Sequence, residues 1–266
     1  MNFIDQINKP NREPGDYTGP NGLLYCGRCH TPKQMRGSGV LAGKLLSITC
    51  ACKGEAERAA ELEAKRKRVE ALRERCLPMV AMHKRVFTTA GDEKHIQTAR
   101  RYAEKWEQMR SDNIGLLFWG NTGTGKTYAA QCIANALIDR EIPVLYITAV
   151  DLVAAIMDRD IKRMELVERL RKVPLLIIDD VGAERDTAFS REQLCAIIDT
   201  RSESRKPLIV TTNYTIGEMD NCTDPALQRI FNRLRACCVP VAVTGASKRN
   251  AVGAQKLQRA RELLEL

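Results

Sequence analysis

The stretch GNTGTGKT, Gly120 to Thr127, constrains this chain more than any other eight residues in it. It follows the apolar run GLLFW and precedes the helical pattern TYAAQCIANALIDR, so strand, glycine-rich turn and helix succeed one another without a gap. The spacing is G-x-x-x-x-G-K-[ST]. Glycines there let the main chain curl and aim its N–H groups inward at the start of a helix, whose dipole also favours anions. Gly120, Asn121, Thr122, Gly123, Thr124 and Gly125 are therefore expected to wrap the phosphates of a nucleotide. Lys126 is expected to reach the β- and γ-phosphates, and the Thr127 hydroxyl to hold Mg2+.

Apolar runs at 115–120, 143–148, 174–179, 207–212 and 238–244 read as five strands, with helical patterns between them. That alternation predicts an α/β fold with a mainly parallel sheet covered on both faces. The third run, LLIIDD, ends by delivering two adjacent carboxylates to the edge of the sheet. Asp179 falls where phosphate-loop enzymes hold the magnesium shell, and Asp180 where a base orients the attacking water. A cap on the following turn is the structural alternative for Asp180. Aspartate has one methylene fewer than glutamate, so a water held by Asp180 is expected to sit less favourably. Glu184 is close enough in sequence to take the role instead.

Upstream of this region the composition changes. Residues 1–53 carry four cysteines among glycines and prolines, with little helical periodicity. YCGRCHTPKQ supplies Cys26 and Cys29, and TCACK supplies Cys50 and Cys52 after twenty intervening residues. Two close pairs of thiols brought in from separate loops suit a tetrahedral Zn2+ site of four cysteines, with His30 beside it as the alternative ligand. Four ligands close such a site, so its work is folding and not catalysis. The other cysteines read as small core residues. Residues 54–77 lack proline and are rich in Ala, Glu, Lys and Leu, which predicts a solvated helix. Its run Lys65-Arg66-Lys67-Arg68 is a solvated face or a contact for DNA or protein. The expected division is a zinc-binding module at 1–53, a helical linker at 54–84 and an ATPase domain at 85–266.

A formal charge of +9 leans toward a polyanionic partner. No apolar run approaches the roughly 20 residues of a membrane span, and MNFIDQINKPNREPGD lacks the apolar core of a signal peptide. The expectation is a cytoplasmic protein with no membrane partner.

Taken in order, NIGLLFWGNTGTGKT, LLIIDDVGAE, IVTTN, RIFNRLR and GASKR resemble the AAA+ ATPases, and among them the DnaC/DnaI-type helicase loaders of bacteria and phages. The resemblance runs over about residues 85 to 250, and the IDD-x-GAE form is also similar to IstB-like transposition ATPases. It implies ATP and Mg2+ as cofactors and self-association through the ATPase interface. It further implies placing a hexameric replicative DNA helicase on single-stranded DNA; a short base at Asp180, a finger borrowed from the next subunit and a minimal lid predict slow hydrolysis. By the same resemblance Asn213 is the sensor of the γ-phosphate or attacking water, and Arg229 the arginine finger, with Arg233 and Arg235 as alternatives. Arg249 is then the second sensor, acting in cis. Only about 17 residues follow Arg249, so the helical lid of many AAA+ proteins is expected to be minimal or absent. The zinc module is expected to contact the helicase. The alternative is a transposition helper that binds duplex DNA and recruits a transposase.

Overall fold

The structure is a computed structural model that describes residues 12–158, 163–184 and 187–264, without the side chains of residues 249, 251 and 252. It contains two compact units that divide between Arg68 and Val69.

In the first unit two small antiparallel hairpins pair Tyr17–Thr18 with Leu24–Tyr25 and Gln34–Arg36 with Leu45–Ser47. Few apolar side chains are buried here besides Leu24 and the cysteines Cys26 and Cys50. Polar contacts take their place. Asp16 accepts from Lys33 Nζ at 2.6 Å, from the N–H of Glu13 at 2.8 Å and from the N–H of Gly27 at 3.0 Å. The Lys33 bond, with those main-chain donors, pulls the Asp16 carboxyl down to about 2. The helix that follows runs Ala51–Cys76, three residues longer at its start than the composition predicts.

The second unit is built on a five-stranded sheet. Its strands are β1 (Gly115–Trp119), β2 (Val144–Thr148), β3 (Leu175–Val181), β4 (Leu208–Thr212) and β5 (Cys238–Ala242). They lie in the order β2-β3-β4-β1-β5, and every neighbouring pair is parallel. Successive side chains on a strand face opposite ways. On β3 this sends Leu175 and Ile177 into a core with Trp106, Phe118, Ile133 and Leu137, and Leu176 and Ile178 into a second core with Leu152, Leu194 and Phe231. Both faces are covered, which is why the strand reads as an unbroken apolar run and not an alternating one. Each such Leu or Ile contributes roughly 1.5–3 kcal/mol by its burial.

Because the strands are parallel, their carboxyl ends share one edge. The order β3-β4-β1 sets the ends of LLIIDD, IVTTN and GLLFWG side by side there. A further segment is tied to the helix Lys126–Ile138 by the buried amide of Asn135, which donates to the carbonyls of Met82 and Arg85, each at 2.9 Å. This lays residues 82–91 along the phosphate loop. Beyond β5 the chain keeps pairing through the N–H of Val243 to Trp119 O at 2.8 Å, and among the described residues one helix, Lys248–Leu264, follows. No helix among them is long and apolar enough to cross a membrane.

Candidate functional site

The phosphate loop joins β1 to the helix Lys126–Ile138 through two glycines that no other residue replaces easily. Gly120 has φ +131, and a Cβ there would lie 2.6 Å from Val243 O. Gly125 caps the helix at φ +112, with His95 Nε2 3.2 Å from where its Cβ would sit. The loop curls around Lys126, whose buried Nζ donates to Gly120 O and Asn121 O at 2.7 Å and to Asn213 Oδ1 at 2.8 Å. Thr124 Oγ1 closes the loop on Asn121 O at 2.8 Å.

The two aspartates diverge through a bulge. Ile178 is paired with Val210 and Val181 with Thr212, so three steps on β3 face two on β4. The extra residue takes up the irregularity, and Asp180 adopts φ +59. Its N–H donates to Thr211 Oγ1 at 2.8 Å, and its Oδ1 accepts from Asn213 Nδ2 at 3.0 Å. Asn213 therefore bridges Lys126 and Asp180. Asp179 stays buried. Its Oδ1 accepts from Thr127 Oγ1 at 3.0 Å and Thr211 Oγ1 at 2.6 Å, and its Oδ2 accepts from the Tyr146 hydroxyl. Oxygens 3.0 Å apart on Thr127 and Asp179 match the edge of an octahedron with Mg–O bonds near 2.1 Å, so this pair fits a magnesium shell. Such an ion neutralises phosphate charge. Glu184, the other candidate acid, accepts from the N–H of Gly182 at 2.8 Å and so folds back on its own turn.

These residues open on a cleft of about 680 Å³. Thr122, Gly123, Lys126, Thr127, Asp180 and Asn213 line it. So do residues that the sequence reading left unassigned, among them Arg85, His95, Ile96, Tyr128 and Lys256. No motif marks them, because they come from the segment near residue 90, the phosphate-loop helix and the last helix. His95 is buried, and its Nε2 has no hydrogen-bond partner among the described residues. Burial lowers its pKa, opposed by the Glu93 carboxylate. Lys248 pairs with Glu93, and its N–H donates to Gly123 O at 2.9 Å.

The arginines separate. Arg233 is paired with Asp199 at 2.7 Å and Arg235 with Asp220 at 2.5 Å. Arg229 is exposed on the same helix, Pro225–Cys237, makes no ion pair among the described residues and does not line the cleft. The main chain of Arg249 lies in Lys248–Leu264, and its side chain is outside the described residues.

In the first unit the thiols of Cys26, Cys29, Cys50 and Cys52 all lie within 4.8 Å of one another. Cys52 Sγ is 3.7 Å from Cys26 Sγ and 3.6 Å from Cys50 Sγ. Zn–S bonds near 2.3 Å in a tetrahedron imply edges near 3.8 Å, so the cluster fits zinc. His30 stands outside it, its ring tilted against Tyr17 at 5.8 Å. One expectation needs correcting: of the second cysteine pair only Cys50 sits in a loop. Cys50 precedes the helix Ala51–Cys76 and Cys52 lies in its first turn, where main-chain N–H groups are left without intrahelical partners. The Thr31 hydroxyl, then the N–H groups of Cys52 and Thr31, hold the Cys29 thiol down at about 5.

The family pattern of IstB-like ATP binding proteins matches residues 55–256. The chain is 30% identical over 149 residues to the replicative helicase loader DnaC of Escherichia coli K12. That match covers 54% of this chain and 58% of the relative, little more than half the length of each. The crystal structure of the DnaC helicase loader aligns with a TM-score of 0.54 at 21% identity, over 62% of this chain and 100% of that one. A DnaI crystal structure aligns at 0.53 and 23%, over 63% and 92%. These two likenesses show the fold.

Proposed function

The chain belongs to the family of IstB-like ATP binding proteins, and from that premise we propose that it is a helicase-loading AAA+ ATPase that works as a switch and not a motor. In this reading the loop Gly120–Thr127 binds ATP, and Thr127 and Asp179 hold the Mg2+ that shields its phosphates. Asp180 orients the attacking water, Asn213 senses the γ-phosphate, and Arg249 contacts phosphate in cis. Arg229 reaches the site of a neighbouring subunit. Residues 1–53 form a zinc-bound module that contacts a hexameric replicative DNA helicase, 54–84 link it, and 85–266 are the ATPase that places the helicase on single-stranded DNA.

One observation carries the switch: Asn213 ties the phosphate-loop lysine to Asp180. A subunit whose water-orienting acid is hydrogen-bonded to its own sensor has to break that contact before hydrolysis. An exposed arginine that makes no ion pair among the described residues and does not line its own cleft suits a finger given in trans, and such fingers raise phosphoryl transfer by about 10³–10⁵. Basal turnover is therefore expected to be weak and to rise on assembly.

The likeness to the loader DnaC favours the first role, whereas membership of the IstB-like family keeps the transposition helper in play as a second reading. Co-purification with a replicative helicase, with and without ATP, tests the first. ATPase rates with single-stranded and with duplex DNA separate the two. Lys126→Ala is expected to lose ATP binding, and Arg229→Ala to bind ATP but hydrolyse it at least tenfold more slowly. A mixture of the two variants is expected to regain part of the rate. Brisk hydrolysis by the lone protein, indifferent to DNA and to its own concentration, would refute the switch.

A further inference from the structure

β2 reads VLYIT, an apolar strand with one phenol at its centre. A buried tyrosine hydroxyl requires a partner, and Val or Leu would fill the same space without that demand. Tyr146 is paired with Ile177 on β3, so its side chain stands on the same face as Asp179, two residues further along. Its hydroxyl donates to Asp179 Oδ2.

The consequence concerns which oxygen of Asp179 is offered to a cation. Oδ1, which also accepts from Thr211 Oγ1 at 2.6 Å, lies 3.0 Å from Thr127 Oγ1 at the foot of the phosphate loop, and Oδ2 is turned away from Thr127 by Tyr146. A carboxylate free to turn can bind a metal through both oxygens. Calcium accepts that geometry, with six to eight ligands, whereas magnesium demands a near-regular octahedron and takes one oxygen per carboxylate. We propose that Tyr146 is a positioning residue that fixes Asp179 as a single-oxygen ligand and so sets the preference of this nucleotide site for Mg2+ over Ca2+. The inference rests on the ATPase reading above.

The test is the affinity of the full-length protein for fluorescent ATP in Mg2+, in Ca2+ and in EDTA, for the wild type and for Tyr146→Phe, which keeps the ring and removes the donor. Hydrogen bonds to charged groups are the stronger ones, so affinity in Mg2+ is expected to fall about tenfold. Affinity in EDTA is expected to hold, and affinity in Ca2+ to hold or rise. Binding in EDTA also reports that the variant is folded; should it not fold, Tyr146→Met, which fills the space without a donor, takes its place. Equal losses in all three conditions, or no change in any, would overturn the inference while leaving the ATPase reading intact. A wild type that binds no better with Mg2+ than with EDTA would overturn the magnesium site itself, and this inference with it.

Discussion

Asp180 answers a question that its neighbourhood in the sequence only raises. A residue at φ +59 sits in the left-handed region, where aspartate is several-fold more at home than most side chains and a longer acid gains nothing locally. The short base is thus also the one that the bulged main chain accommodates. His95 is a second case where a single side chain carries a consequence. Its ring is buried beside the phosphate loop, and its pKa lies below the ordinary 6.5 because burial disfavours the charge. As pH falls through that ordinary value, the unfolded chain takes up a proton that the folded ring resists, so stability declines on the acid side. Thermal melts of His95→Gln between about pH 7.5 and about pH 5.5 should therefore show a shallower loss than the wild type. Equal slopes would mean that the ring titrates as freely folded as unfolded.

At the scale of elements, the sheet was legible because its signals are local. Each strand is a short apolar run between breakers, and each helix has its own period. The five strands fall within about two residues of where the runs predict them. How the elements are pinned together was not legible. Arg201, at the end of the helix Ala188–Glu203, is buried and donates to the carbonyls of Leu170, Arg171, Val173, Pro174 and Pro207. Those oxygens include the unpaired end of the helix Arg163–Lys172 and the residues just before β3 and β4. Burial lowers the guanidinium to about 10, which leaves it charged at neutral pH. In the sequence it is an arginine among other charges near a helix end. Arg201→Met should cost at least about 3 kcal/mol in chemical denaturation, since it strands several buried carbonyls at about 1–3 kcal/mol each. A loss under about 1 kcal/mol would mean that water takes over from the guanidinium.

At the scale of the whole molecule, two units stand on different physics. The second is held by two apolar cores; the first has few buried apolar side chains, and its cysteines and the Asp16–Lys33 pair take over. A chain segment of that kind needs a staple. Elemental analysis should find one zinc per chain. Replacing Cys26 and Cys29 together with Ser should remove the metal and unfold the first unit, while ATP still binds to the second. Metal-free protein, purified without chelator and with its first unit still folded, would sink the zinc assignment.

What the sequence determined by itself was whatever contiguous residues encode. The phosphate loop, the apolar strand ending in two acids and the paired cysteines each carry their chemistry within a few positions. Tertiary structure decided the rest. It paired two of three arginines on one helix with aspartates, turned Glu184 back on its own loop, put Cys52 into a helix and opened the bulge at Asp180. It also set Tyr146 against Asp179 across 33 residues of chain, and His95 against Gly125. Such contacts depend on strand order and register, which are settled by packing over the whole unit, and no local pattern of residues records them.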